Sequence, residues 1–186
     1  MTEIILYIAV SKDGFIADKK GGIAWLEKYN SGKEDYGYND FYHSIDALVM
    51  GKNTYNQLLT FGRWPFAKKK SYVFADKDTQ TTNRDIEIVT TDVATFMKKI
   101  ERFGTKRLWL MGGAQIIESF YKLNLIDEYI IAVMPEKLGE GIALPKQIFQ
   151  AKDLKLVDTI KYPQSGIVQT YYVPYDKVEK PKKNDY

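Results

Sequence analysis

Two short segments of this chain each join the end of a strand, a glycine and the start of a helix. The first is Met50-Gly51-Lys52-Asn53-Thr54, and the second is Leu110-Met111-Gly112-Gly113-Ala114-Gln115. The first N–H groups of a helix have no partner within the helix and lie at the positive end of its dipole, so they bind anions. Lys52 and Thr54 add a positive charge and a hydroxyl donor to the first segment. Either segment alone is equally compatible with a simple strand-to-helix turn.

The two segments together are more informative than either one. Neither contains the Gly-x-Gly-x-x-Gly motif of Rossmann domains or the phosphate loop that ends in Gly-Lys-Ser/Thr. An ordinary Rossmann domain and a P-loop nucleotide hydrolase are therefore disfavoured. Two glycine junctions in one small parallel sheet can hold the two phosphate-bearing ends of a dinucleotide. The sequence thus predicts one dinucleotide site that uses both junctions.

Six apolar runs predict the strands that position these junctions. The strands are expected at residues 4–10, 47–50, 71–75, 86–89, 108–111 and 129–133. Helices are expected at residues 53–59, at residues 114–121, and between Thr91 as N-cap and Gly104 as the stop. Strands that alternate with helices are typical of a parallel sheet with helices on its faces.

The remaining segments predict a loop, a hairpin and a tail. Residues 11–22 contain three glycines and are predicted to form a long loop. Residues 154–160 and 167–173 alternate in polarity around a turn, which is typical of an antiparallel hairpin. Residues 1–174 are expected to form one domain, followed by a frayed, Lys-rich tail at 175–186.

Composition excludes several kinds of function. The 186 residues are 45% hydrophobic and 27% charged, which provides enough apolar material for a core. Without cysteine there can be no disulfide, iron–sulfur cluster or cysteine zinc site, and no metal site is expected. A net charge of +3 is too small to indicate a nucleic-acid partner. No apolar run reaches the ~18–20 residues of a membrane span. We therefore expect a cytoplasmic protein with neither a membrane nor a nucleic-acid partner.

Three segments, in this order, resemble the dihydrofolate reductase superfamily. Residues 11–17 are similar to the Ser-x-Asp-Gly-x-Ile-Ala segment of one branch, which is related to the C-terminal reductase domain of the bifunctional riboflavin-biosynthesis deaminase–reductase. Residues 46–55 resemble its Asp-Ala-(apolar)-Met-Gly-Arg-x-Thr-Tyr segment, and residues 108–115 its Gly-Gly-(Ala/Gly) segment. The resemblance covers about the first 173 residues. It implies a dihydrofolate reductase-like α/β fold of three layers, α/β/α, with a mainly parallel central sheet and an antiparallel C-terminal hairpin.

The resemblance implies NADPH binding and hydride transfer, and it assigns residues to each part of the cofactor. The nicotinamide would be flanked by Ala9 and Ile16. The adenosine-side phosphates would be met by Gly51, Lys52, Asn53 and Thr54. Lys52 stands where the family often has Arg and would contact the 2′-phosphate. The pyrophosphate and the nicotinamide side would be held by Gly112, Gly113, Ala114, Gln115 and Ile116.

Several residues could serve as the proton donor. The family carries a carboxylate shortly after a tryptophan that matches Trp25, but the same offset in this chain falls on Asn30. Counting back from Gly51 gives Asp35 instead, and Glu27 is close to Trp25 as well. A buried carboxylate with a raised pKa would suit proton delivery. The catalytic candidates are Asp35, Glu27 and Asp13.

Two residues are expected at the substrate. Trp25 could line the pocket of a planar substrate, and Asp13 lies in the loop segment that carries the family resemblance. Asp13-Gly14 is also typical of a simple turn. These two residues would therefore mark the acceptor end of the site.

The implied function is an NADPH-dependent reduction of a planar nitrogen heterocycle. The first expectation is a 5-amino-6-(5-phosphoribosylamino)uracil reductase-type activity, performed by a stand-alone reductase because the chain lacks the cysteine ligands of a zinc deaminase. Dihydrofolate is the second expected acceptor. The alternative from another class is a non-catalytic dinucleotide-binding or sensor protein. The apolar hairpin at residues 154–173 could also form a homodimer contact.

Overall fold

The apolar runs of the sequence form one large sheet. The computed structural model describes residues 1–30, 32, 34–66 and 68–178. Across these residues the strands are β1 Glu3–Ser11, β2 Phe15–Ala17, β3 Ala47–Gly51, β4 Lys70–Phe74, β5 Ile86–Val89, β6 Arg107–Gly112, β7 Glu128–Met134, β8 Ile142–Ala143, β9 Leu154–Tyr162 and β10 Ile167–Pro174. The helices are α1 Tyr38–Ser44, α2 Lys52–Leu59, α3 Val93–Arg102, α4 Ala114–Lys122 and α5 Lys146–Phe149, with 3₁₀ helices at Ala24–Tyr29 and Tyr175–Lys177.

The main sheet is mostly parallel. Its strand order is β5-β4-β3-β6-β1-β7-β10-β9. Every neighbouring pair from β5 to β7 is parallel, whereas β10 runs antiparallel to both β7 and β9. The predicted combination of a parallel sheet with an antiparallel C-terminal hairpin is therefore confirmed.

Helices cover both faces of the sheet. Successive residues of a strand point to opposite faces. Leu110 accordingly packs with Phe96 of α3 and Phe120 of α4, whereas the preceding Trp109 packs with Leu58 of α2. The three-layer α/β/α arrangement is confirmed, and α1 joins α2 on the second face through Phe41. Among the described residues, no helix has both the length and the apolar composition that crossing a membrane requires.

Two local predictions were wrong. The N-cap of α3 is Asp92 and not Thr91, because the Asp92 carboxylate accepts a hydrogen bond from the Thr95 N–H at 2.9 Å. The predicted loop at 11–22 contains β2, which pairs with β8 more than a hundred residues further along the chain. A short strand of this kind depends on a partner that local sequence does not indicate. The stop of α3 at Gly104 is confirmed by its left-handed φ of 74°.

The C-terminal segment begins with ordered structure. The 3₁₀ helix Tyr175–Lys177 follows β10 directly, and Lys177 Nζ lies 2.7 Å from Asp127 Oδ1. Asp127 also accepts a hydrogen bond from the Ile4 N–H at 2.8 Å. This part of the predicted tail is therefore attached to the sheet. Residues 179–186, which make up the rest of it, lie outside the described part of the chain.

Asp46 connects the two loops that lead into the neighbouring strands β3 and β6. Its carboxylate accepts hydrogen bonds from the N–H groups of Lys106 at 2.7 Å and Arg107 at 2.9 Å. The Arg107 hydrogen bond is the main reason why the pKa of Asp46 is lowered. A lowered folded-state pKa stabilises the fold above the unfolded pKa, and this stabilisation is lost as the pH falls through the folded pKa.

We predict that Asp46→Asn lowers the free energy of unfolding at pH 7 by about 1 kcal/mol, a modest value because the side chain is exposed. The difference from the wild type should shrink as the pH falls below about 4, the pKa range of an unperturbed aspartate. Urea unfolding at several pH values measures this. Asp158→Asn, on the exposed strand β9, is the matched control. A difference that stays constant down to pH 2 would contradict the assignment.

Candidate functional site

The two glycine junctions lie side by side in the structure. Strands β3 and β6 are parallel neighbours, so their carboxyl ends and the helices that follow them meet at one edge of the sheet. A Cβ built on Gly51 would lie 3.8 Å from the Gly113 N atom, and a Cβ built on Gly113 would lie 3.5 Å from Thr54 Oγ1. The structure thus joins both segments into one surface with little side-chain bulk.

The second junction has a backbone conformation that requires glycine. Gly112 has a φ of 126°, a region that residues with a Cβ rarely adopt. The peptide between Gly112 and Gly113 is cis. Gly113 itself has a φ of −78°, which any residue can adopt. Gly113 therefore matters for the space that it leaves open rather than for its backbone conformation.

The helices that start at these junctions have open N-termini. Neither α2 nor α4 has a side chain that hydrogen-bonds its first N–H groups, and neither has an acidic residue in its first turn. Helix α3, by contrast, is capped by Asp92. Uncapped N–H groups at the positive end of a helix are donors for an anion. The free N–H groups of α2 and those of α4 therefore lie close together at the two glycine junctions.

Both junctions open into a large cleft of about 1820 Å³. This volume exceeds the ~300–1,000 Å³ of common small-molecule pockets and leaves room for two ligands. Every predicted cofactor residue lines it: Ala9, Ile16, Gly51, Lys52, Asn53, Thr54, Gly112, Gly113, Ala114, Gln115 and Ile116. The structure therefore gathers in one place residues that are more than one hundred positions apart in sequence.

Lys52 is paired with a carboxylate that sequence reasoning missed. Lys52 Nζ lies 2.6 Å from Asp76 Oδ2, and both side chains are partly exposed at the cleft. The hydrogen bond and charge of Lys52 lower the pKa of Asp76. Asp76 follows β4, the strand next to β3, so the parallel topology brings it to the same edge. The charge of Lys52 is consequently shared with Asp76.

Asp35 is the only one of the three catalytic candidates that lines the cleft. Its carboxylate accepts hydrogen bonds from the N–H groups of Gly37 at 3.0 Å and Asn39 at 3.2 Å, at the start of α1. These bonds lower its pKa, with the Gly37 bond contributing most. Asp35 is exposed and ionised at neutral pH. It does not have the burial and raised pKa expected of a carboxylic-acid proton donor.

Asp13 holds a loop in place and does not line the cleft. It accepts hydrogen bonds from Ser11 Oγ at 2.6 Å and from the N–H groups of Leu138 and Gly139 at 3.1 Å and 2.7 Å. The Ser11 bond contributes most to lowering the pKa of Asp13 to about 2. Asp13 therefore ties the β1–β2 turn, and with it Ile16, to the loop after β7.

The first 3₁₀ helix presents other residues to the cleft than those predicted. Trp25 packs against the sheet with Ala132 and Met134 and is not among the lining residues, and neither is the exposed Glu27. Side chains three apart lie on one side of a 3₁₀ helix. Leu26 and Tyr29 accordingly line the cleft together, followed by Asn30. The offset after Trp25 thus leads to a residue at the cleft, Asn30, whereas Trp25 and Glu27 lie outside its lining.

Tyrosines and a glutamine line the end of the cleft away from the glycines. Burial is the main reason why the pKa values of Tyr7 and Tyr38 are raised to about 12, so both phenols stay protonated at neutral pH. Gln169 is 2% exposed. Sequence reasoning missed Tyr7 and Gln169. Tyr7 could have been found, since it lies two positions before Ala9 and strand alternation puts both on one face.

Comparison with known proteins identifies relatives along almost the whole chain. The model of the RibD C-terminal domain matches residues 2–168. The uncharacterized protein YwjB of Bacillus subtilis (strain 168) is 34% identical over 170 residues, which cover 91% of this chain and 96% of YwjB.

Solved structures agree with the sequence match. A putative riboflavin biosynthesis protein from Shewanella sp. PV-4 has a TM-score of 0.81 and 28% identity, covering 93% of this chain and 99% of that one. A diaminohydroxyphosphoribosylaminopyrimidine deaminase/5-amino-6-(5-phosphoribosylamino)uracil reductase from Thermotoga maritima has a TM-score of 0.70 and 16% identity. The match covers 93% of this chain and 56% of the Thermotoga chain, and it shows a shared fold.

We predict that Gly113→Val abolishes NADPH binding while the protein remains folded. The φ of Gly113 accepts a side chain, but valine would occupy the space between the two helix N-termini. Isothermal titration with NADPH measures the binding, and the thermal unfolding midpoint is the control for folding. An unchanged affinity in a folded variant would show that ligands do not approach the backbone here.

Proposed function

Because the chain belongs to the RibD C-terminal domain family, we propose that it is an NADPH-dependent reductase that acts on a compound with a planar nitrogen heterocycle. The first-choice acceptor is a 5-amino-6-(5-phosphoribosylamino)uracil-type pyrimidine of riboflavin biosynthesis, the compound class named for the Thermotoga enzyme. The observation that carries the proposal is the meeting of two uncapped helix N-termini at Gly51 and Gly113 inside one large cleft.

The residues of the glycine junctions fit a dinucleotide. The free N–H groups that begin α2 and α4 are donors for phosphate oxygens, and Thr54 Oγ1 lies beside them. Side chains at Gly51 or Gly113 would fill the space that the phosphates need. When bound, the cofactor supplies the hydride. The chain holds the dinucleotide, orients its nicotinamide beside Ala9 and Ile16, and excludes water from the reacting atoms.

The acceptor end of the cleft supports binding of a planar ring. Its lining includes the rings of Tyr29 and Tyr36 and the apolar side chains of Leu26 and Met134. Aromatic and apolar surfaces favour flat heterocycles, and a few polar groups fix their orientation. This composition supports a pyrimidine acceptor, and it accommodates dihydrofolate as the second choice.

A non-catalytic dinucleotide-binding protein is the alternative, and one observation favours it. Of the candidate carboxylates, Asp35 lines the cleft but has a lowered pKa, whereas Glu27 and Asp13 do not line it. An enzyme would then take its proton from a phenol or from water. Turnover separates the two proposals: NADPH binding without oxidation by any pyrimidine or pterin supports the binding protein. The cytoplasmic location and the homodimer stay predictions.

The direct test is titration of the purified protein with NADPH, NADH and FMN, followed by thermal shift and an acceptor screen. We expect NADPH to bind more tightly than NADH and to raise the unfolding midpoint, because ligands that bind only the folded state stabilise it. Loss of NADPH absorbance with a pyrimidine acceptor would identify the reaction. No stabilisation by any dinucleotide would refute the proposed function and leave the fold assignment intact.

The Lys52–Asp76 pair should set the preference between the two cofactors. Lys52→Ala is expected to weaken the affinity for NADPH about fivefold and to change the affinity for NADH little. A fivefold change corresponds to about 1 kcal/mol, the value of an exposed charge contact. Asp76→Asn should strengthen the binding of NADPH, since it leaves Lys52 free for the 2′-phosphate. Titration of both variants, with Lys98→Ala on α3 as control, measures the NADPH/NADH ratio. Equal losses for both cofactors in Lys52→Ala would contradict the 2′-phosphate role.

A further inference from the structure

Two polar groups lie on the apolar floor of the acceptor end of the cleft. They are the hydroxyl of Tyr7 on β1 and the carboxamide of Gln169 on β10. Gln169 pairs with Ala132 of β7 in the sheet, and Ala132 pairs in turn with Ala9 of β1. The floor between the two polar groups is thus made by small side chains. A buried polar side chain in such surroundings needs hydrogen-bond partners.

The hydrogen bonds of Gln169 have a definite direction. The Tyr162 hydroxyl donates to Gln169 Oε1 at 3.1 Å. The carboxamide NH₂ therefore points away from Tyr162, and the proximity of Gln169 to the Tyr7 hydroxyl partly offsets the effect of burial on the pKa of Tyr7. An amide NH₂ can only donate, so toward this group the Tyr7 oxygen can act only as an acceptor.

The Tyr7 hydroxyl therefore keeps its proton available for a hydrogen bond to another group. No carbonyl or carboxylate within residues 1–30, 34–66 and 68–178 accepts it, and Tyr7 lines the cleft. Because its pKa is about 12, the phenol keeps this proton at any physiological pH. The hydroxyl is therefore a permanent, uncharged donor available to a molecule in the cleft.

Packing fixes the position of this donor. The Tyr7 ring meets Phe41 of α1 edge to face at 4.7 Å, and Trp109 Nε1 donates to the Tyr7 carbonyl at 3.0 Å. Tyr162 is held by Tyr36, whose ring lies 5.0 Å away. Two residues along a strand span roughly 7 Å and point to the same face, so Tyr7 lies on the face of the sheet that carries Ala9, which the proposed function places beside the nicotinamide.

We propose that the Tyr7 hydroxyl donates a hydrogen bond to a ring carbonyl or ring nitrogen of the heterocyclic acceptor, and that Gln169 is the residue that positions it. The inference rests on the proposed function for the nature of the second ligand. It makes Tyr7 a contact of the acceptor and not of the dinucleotide phosphates. Tyr162 in turn orients Gln169: its hydrogen bond to the carboxamide oxygen leaves the NH₂ group on the side of Tyr7.

The test measures the affinity of 5,6-diaminouracil, which carries the pyrimidinone ring, for the NADPH-saturated protein and its variants. Tyr7→Phe should weaken the pyrimidine about tenfold, the upper range for one neutral hydrogen bond, and change NADPH affinity less than twofold. Tyr171→Phe is the matched control, because Tyr171 lies beside Tyr7 across Ile130 in the sheet but outside the cleft lining.

A double-mutant cycle tests the role of Gln169. Gln169→Leu should weaken 5,6-diaminouracil in the wild-type background but have little further effect when Tyr7 is already Phe, since it acts through the Tyr7 hydroxyl. Additive losses would assign Gln169 a merely structural role. Equal pyrimidine affinity of the wild type and Tyr7→Phe, or no pyrimidine binding by a protein that binds NADPH, would overturn the Tyr7 proposal alone. Failure of the wild type to bind NADPH would instead overturn the proposed function.

Discussion

The parallel pairing of β3 with β6 determines where every other part of the site lies. It brings two strand ends, two glycines and two helix N-termini to one edge of the sheet, although about sixty residues separate them in sequence. The chain leaves β3 toward β4 and leaves β6 toward β7, in opposite directions along the sheet, so crossovers of the same hand place α2 and α4 on opposite faces. The carboxyl edge of an open α/β sheet is where ligands of such folds bind. The cleft is thus a consequence of topology before it is a consequence of particular side chains.

The floor and the roof of the cleft differ in rigidity. The floor consists of strands whose residues are fully buried, such as Leu6, Leu48 and Leu110. The roof consists of the 3₁₀ helix Ala24–Tyr29 and helix α1, neither of which has a fully buried residue. Elements with few buried contacts open at low free energy. Ligands can therefore enter beneath the roof without disturbance of the sheet.

The predictions that succeeded rest on signals contained within one segment. The sequence predicted strands β1, β3 and β6 from their apolar runs, together with the glycines at the ends of β3 and β6. It also predicted the C-terminal hairpin. Contacts that depend on the pairing of strands far apart in sequence could not be predicted. Asp76 reaches Lys52 only because β4 pairs with β3, and β2 exists only because β8 lies beside it. The sequence also did not predict which side of the 3₁₀ helix faces the cleft, because a helix of six residues has too few turns to show a periodic pattern.

The separation of floor and roof has an evolutionary consequence. Substitutions in the roof cost little stability because its residues bury little surface, whereas substitutions among the floor residues create cavities in a close-packed core. Lineages that keep the same sheet can therefore exchange roof residues freely. The proposed dinucleotide site depends on the carboxyl edge and would be inherited, while the choice of acceptor would diverge. Asn30, at the position expected for a carboxylate, directly follows the 3₁₀ helix of the roof and lines the cleft.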